Sequence, residues 1–111
     1  MFATLDKNHK ETPDFNTLKN KIIDWGKERG IVKQDNHKNQ LLKTISELGE
    51  LSDAILKNDL DEIIDGIGDV QVTLILLAKN CGLDIVECLE SAYNEIKDRT
   101  GKTVDGTFIK D

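Results

Sequence analysis

The chain has 111 residues, and its 21 Asp and Glu outnumber 15 Lys and Arg to give a formal charge of −6 at pH 7. That length suits one domain with a single core, and the negative balance argues against general binding to nucleic acid or an anionic membrane. The longest apolar stretch, Val70 to Ala78, is interrupted by Gln71 and Thr73 and is too short to span a bilayer.

Residues 1–12 are polar and aperiodic and read as a flexible N-terminal arm, with no basic segment leading into an apolar core as a secretory signal would have. Thr12-Pro13 is a helix-start signal, placing Pro13 in the first turn. Phe15, Leu18, Ile22, Ile23 and Trp25 supply the apolar positions of a first helix that Gly30 ends. Asp35 or Asn36 can cap a second helix running to about Asn58, with Leu41, Leu42, Ile45, Leu48, Leu51, Ile55 and Leu56 as its core side. Asp59 followed by Glu62 forms a capping-box pattern for a third helix reaching about Asn80 and closed by Gly82. Asp84 with Glu87 repeats the pattern for a fourth helix whose Ile85, Leu89, Ala92, Tyr93 and Ile96 face the core. Cys81 and Cys88 fit no zinc spacing and read as free thiols of a cytoplasmic protein. Gly101 reads as the residue just past the last helix, and residues 102–111 as a polar tail without a strand. The expectation is an all-α fold of four helices over residues 13–101.

The informative pattern within it is acidic. Glu47 and Glu50 are an i, i+3 pair on the second helix, and Glu62, Asp65 and Asp69 follow at i, i+3, i+7 on the third. Carboxylates aligned this way repel one another unless a cation neutralises them, and an oxygen-only set is what Mg²⁺ prefers. On a helical projection Lys43, Glu47 and Glu50 fall opposite the apolar side of their helix, with Glu47 nearest its border. On the third helix Ile63, Ile67, Val70, Leu74 and Leu77 form the expected core stripe. The acidic stripe there continues into apolar Val72 and Leu76, so something must cover it, and a second subunit is the expected cover. Gly49, Gly66 and Gly68 sit beside the acids inside helices, where each costs about 1 kcal/mol relative to Ala. Either close helix approach or room for a ligand would justify them.

These residues resemble the MazG-like nucleoside triphosphate pyrophosphohydrolases, an all-α superfamily that also includes dimeric dUTPases. Gln40-Leu-Leu-Lys43-Thr-Ile-Ser-Glu47-Leu-Gly-Glu50-Leu matches the family's first acidic helix, and Ile67-Gly-Asp69-Val-Gln-Val-Thr-Leu-Ile-Leu-Leu-Ala78 matches its second. Trp25-Gly-Lys-Glu-Arg-Gly30 and Ala92-Tyr-Asn94-Glu-Ile-Lys97-Asp-Arg99 extend the likeness to roughly residues 15–100. The chain departs from the pattern at Gly66, where the family carries a Glu three residues before Asp69, and at Ser46, where many relatives carry another acid. Either Asp65 or Glu62 replaces the missing Glu, or Glu62-Ile-Ile-Asp65 is itself the acidic pair.

The resemblance implies Mg²⁺-dependent hydrolysis of a (d)NTP to the monophosphate and pyrophosphate, with Mn²⁺ able to stand in for Mg²⁺. It implies a four-helix bundle completed by homo-oligomerisation as a dimer or tetramer. Glu47, Glu50 and Asp69 would be catalytic and metal-binding, Asp65 and Glu62 further metal ligands, and Lys43, Asn94 and Lys97 phosphate contacts. Trp25 would pack against a base, if it is not simply a core or interface residue. Two other readings stay open: a dUTPase-like enzyme restricted to one nucleotide, and a non-catalytic helical oligomerisation or regulatory module.

Overall fold

The computed structural model describes residues 12–111, so the expected arm at 1–12 lies outside the described residues except for Thr12. Four helices follow one another as expected: α1 (Phe15–Glu28), α2 (His37–Lys57), α3 (Leu60–Asn80) and α4 (Ile85–Ile96). Local features mark most of their ends. Asp14, not Pro13, caps α1 by accepting a bond from the Thr17 amide, so Pro13 lies one residue outside the helix. Asn36 stands at the cap of α2 but turns its amide to the Ile31 carbonyl, 2.7 Å away, which fastens the α1–α2 link. Asp59 caps α3 through the Glu62 amide and Asp84 caps α4 through the Val86 amide. Asn58 ends α2 in the left-handed region (φ 55°), and Gly82 follows α3 with φ 74°.

Residues 101–110 differ from the expected tail. Gly101–Val104 (β1) and Thr107–Lys110 (β2) form an antiparallel hairpin, with Gly101 paired to Lys110 and Val104 to Thr107. Asp105 and Gly106 both have positive φ, 50° and 81°, the two-residue type I′ turn that matches strand twist. Gly101 is therefore a strand residue rather than a helix terminator. A Cβ there would run into the Ile109 carbonyl and the Phe108 ring.

Packing reverses the expected orientation of α2. The residues it buries are Gln40, Thr44, Glu47 and Ala54, at i, i+4, i+7 and i+14. Its expected core residues Leu41, Leu42, Ile45, Leu48, Ile55 and Leu56 are all about half exposed or more. The α2–α3 seam is thus largely polar, and Gln40 Nε2 donates across it to the Thr73 carbonyl at 3.3 Å. The burial pattern of α3 shifts as well. Ile63, Gly66, Thr73, Ile75, Leu76 and Ala78 are buried, whereas Ile67 and Leu74 are exposed. On α4 no residue is buried, and Leu89, Tyr93 and Ile96 point their apolar surface outward.

The cover over Val72 and Leu76 also differs from expectation. Helix α1 supplies it within the same chain, where Gly26 lets Leu76 approach so closely that a Cβ would sit 2.6 Å from Leu76 Cδ2. Two polar ties hold α1 and the following link in place. Lys19 Nζ donates to Asp84 at 2.9 Å, and Asn80 bridges the Lys33 amide and the Ile31 carbonyl.

Candidate acidic site between α2 and α3

The carboxylates come together because α2 and α3 are antiparallel neighbours joined by a tight turn at Asn58 and Asp59. Glu50, Asp53 and Lys57 of α2 face Glu62, Asp65 and Asp69 of α3 across an open cleft of about 320 Å³. Gly66 lines the same cleft and sets the helix spacing, because a Cβ there would stand 3.0 Å from Leu51 Cδ1 and 3.4 Å from Leu51 Cα. A side chain at 66 would require Leu51 to give by a few tenths of an ångström. A Cβ at Gly49 or Gly68 would meet nothing within 4 Å among the described residues, so of the three glycines beside the acids Gly66 is the one that serves close approach of α2 and α3 there.

Glu47 occupies a different environment from the others. It is only 7% exposed, in the seam itself, and one of its oxygens pairs with Lys43 Nζ at 3.0 Å. Its second oxygen, Oε2, is buried and has no hydrogen-bond donor among the described residues. The Lys43 ammonium holds Glu47 below the ordinary carboxylate range, and Glu47 in turn keeps Lys43 protonated. The Glu50 carboxyl lies within hydrogen-bonding reach of Glu47, and that neighbour pushes the Glu50 proton affinity up. Two carboxyl groups this close, one with an oxygen sealed from water, ask for a cation or a shared proton.

The donor set fits a hard divalent cation such as Mg²⁺: all ligands are carboxylate oxygens, and one is preburied and unsatisfied. Among the described residues no three carboxylates converge closely enough to hold an ion as they stand.

The other expected site residues divide. Lys43 stands beside the acids through its pair with Glu47. Asn94 and Lys97, near the end of α4, do not line the cleft of their own chain. Trp25 borders a separate groove that meets the cleft at Asp69. Asp53 and Lys57 line the cleft without having been singled out from the sequence. Asp53 extends the Glu50 side at i, i+3, so the spacing that flagged Glu47 and Glu50 continues to it.

The model of the MazG nucleotide pyrophosphohydrolase domain matches residues 35–104, from the start of α2 through β1. An uncharacterised 18.2 kDa protein from the rep–hol intergenic region of Haemophilus phage HP1 is 36% identical over 73 residues, covering 66% of this chain and 45% of the phage protein. The chain thus spans less than half the length of that relative. No solved structure matches the chain.

Proposed function

The chain belongs to the MazG nucleotide pyrophosphohydrolase family, and on that premise we propose that it hydrolyses a nucleoside triphosphate to the monophosphate and pyrophosphate with a divalent cation, as a nucleotide-pool or house-cleaning enzyme. The observation that carries this reading is the buried Oε2 of Glu47, which has no donor among the described residues and stands beside the Glu50 carboxyl. Glu47, Glu50 and Asp69 are the proposed principal ligands, with Asp65 and Glu62 assisting from the opposite wall. Bound there, Mg²⁺ would supply positive charge to the phosphate oxygens and acidity to a water molecule.

The chain's own groups do the rest. Glu50, where not fully committed to the metal, is placed beside Glu47 to orient the attacking water and accept its proton. Lys43 keeps Glu47 ionised by its 3.0 Å contact, so the buried ligand stays charged at neutral pH. Lys57 adds a positive group inside the cleft, where phosphate charge develops. Positioning and charge neutralisation are the main needs of attack at a phosphoryl centre, and these groups meet both.

The functional unit is proposed to be a homo-oligomer, a dimer or tetramer. Leu41, Ile45, Leu48 and Ile55 repeat at helical spacing along the outer side of α2, each 47–55% exposed. The radius of gyration, 16.4 Å, exceeds the roughly 13 Å of a compact 100-residue domain. Another copy laid on this stripe would bury it, and would offer Asn94 and Lys97 a cleft other than their own.

Purified protein incubated with Mg²⁺ and a panel of canonical and damaged (d)NTPs, with pyrophosphate and orthophosphate assayed separately, tests the reading. Pyrophosphate release is expected, from one or more nucleotides. Orthophosphate as the direct product contradicts the proposed bond cleavage. No turnover combined with no Mg²⁺-dependent nucleotide binding removes the enzyme reading altogether.

A further inference from the structure

The acidic cleft is not uniform along its length. Glu50, Asp53 and Lys57 follow one another at i, i+3 and i+7 on α2 and line the same wall. Two contacts fix how the opposite wall runs past them: Gln40 donates to the Thr73 carbonyl, and Gly66 lies against Leu51. In that antiparallel register Glu50 stands level with Asp65 and Gly66, and Asp53 level with Glu62. Lys57 falls beyond the last acidic pair, at the end of the cleft next to the Asn58–Asp59 turn. Two turns of helix separate it from Glu50, about 10 Å along the axis.

The charges along this line are sorted. Glu50 and Asp69, two of the proposed principal ligands, mark one end, and Lys57 is the one cationic side chain among the lining residues. It makes no ion pair among the described residues, although Asp53, Glu62 and Asp65 line the same cleft. Its ammonium is a compact point charge with three donors on a flexible stem, which suits it to phosphate oxygens. Carboxylates along both walls repel a polyphosphate except where a cation stands, and Lys57 is the cation that the chain itself supplies. Building on the pyrophosphohydrolase reading, we propose that Lys57 is a specificity-determining residue that binds the two phosphates farthest from the nucleoside. The triphosphate then lies along the cleft with its nucleoside end toward Asp69 and its terminal phosphate at the α2–α3 turn. A nucleoside monophosphate does not reach Lys57, and inorganic pyrophosphate does.

Product inhibition separates these two halves of the substrate. With Mg²⁺ present, Lys57→Gln is expected to raise the inhibition constant of inorganic pyrophosphate by about tenfold, the lower end of the scale for a hydrogen bond to a charged group. The inhibition constant of the nucleoside monophosphate is expected to stay unchanged. KM for the triphosphate rises with the pyrophosphate constant, with a smaller change in kcat. Calorimetric titration of pyrophosphate into the protein with Mg²⁺ is expected to show the same loss without turnover. Lys57→Arg keeps the charge and is expected to retain most of the pyrophosphate affinity. Lys57 also stands in the last turn of α2, where a positive charge favours the helix C-terminus, so thermal melts of the three proteins are compared. Unchanged pyrophosphate affinity in Lys57→Gln, equal losses for the two products, or a loss in Lys57→Arg as large as in Lys57→Gln overturns the assignment, while hydrolysis by the parent protein leaves the activity standing. Absence of hydrolysis of any nucleotide by the parent overturns the activity and the assignment together.

Discussion

Glu47 shows how burial can point to chemistry. A carboxylate in a seam between two helices is costly, and a single lysine at 3.0 Å answers only one of its oxygens. If the remaining oxygen exists to hold a cation, Glu47→Gln should relieve the repulsion with Glu50, leave the metal-free melting temperature unchanged or higher, and abolish the upward shift that Mg²⁺ produces in the parent. A thermal melt with and without Mg²⁺ checks this, and an unaltered Mg²⁺ shift would show the ligand assignment to be wrong. The pair also predicts a pH effect with a definite sign. Because Glu47 raises the proton affinity of Glu50, the metal-free site keeps a proton to a pH above the ordinary carboxylate value, and a cation must displace it. Calorimetry should therefore find weaker Mg²⁺ binding with more proton release at about pH 5 than at about pH 7.5, a difference diminished in Glu47→Gln. The acidic residues were legible from their spacing, but the burial of Glu47 was not. Projection places a residue relative to the apolar side of its own helix, and here that side faces outward.

Among the elements, the helices were readable because each start carries Asp or Asn, and the ends of α1, α2 and α3 meet Gly30, Asn58 and Gly82 in the left-handed region. The hairpin was missed although its signal was present: Val104-Asp105-Gly106-Thr107 sets Asp-Gly between short β-branched segments. Gly106→Ala should weaken the hairpin by about 1 kcal/mol, since Gly106 sits at φ 81°, and hydrogen exchange at Thr107 to Lys110 should speed up without change in the helices. Gly26 makes a second element-level test. Its α1–α3 contact leaves no room for a methyl group, so Gly26→Ala should lower stability in urea by about 1–2 kcal/mol, overpacking exceeding the gain in helix propensity. The Lys19–Asp84 pair joins α1 to the start of α4. Its lysine and the Val86 amide lower the Asp84 pKa, so this stabilisation is present above the unfolded value near 3.8 and is lost as pH falls through the lower folded value. Asp84→Asn, which keeps a capping oxygen, should reduce stability at pH 7 and flatten the acid limb of the melting curve below about pH 4.

At the scale of the whole molecule, the chain keeps a polar seam inside and leaves apolar helix sides outside. Ile75, Leu76, Ile63 and Ala54 are among the few buried apolar residues, a small core for four helices. Sequence periodicity found apolar residues at helical spacing, but the sides it assigned to the core on α2, and Ile67 and Leu74 on α3, are exposed within the chain. Helix α1 covers Leu76. A second copy is the proposed cover for the outer stripe of α2, so Ile45→Glu with Leu48→Glu should shift light-scattering mass toward the 12.5 kDa monomer. The role of the polar seam is decided by pyrophosphate release measured as a function of Mg²⁺ in the parent and in Glu50→Gln. Saturable, Mg²⁺-dependent release that Glu50→Gln lowers at least about a hundredfold is the predicted result, in keeping with loss of a proton acceptor. Release of pyrophosphate by Glu50→Gln at the parental rate, or turnover indifferent to Mg²⁺, would contradict it.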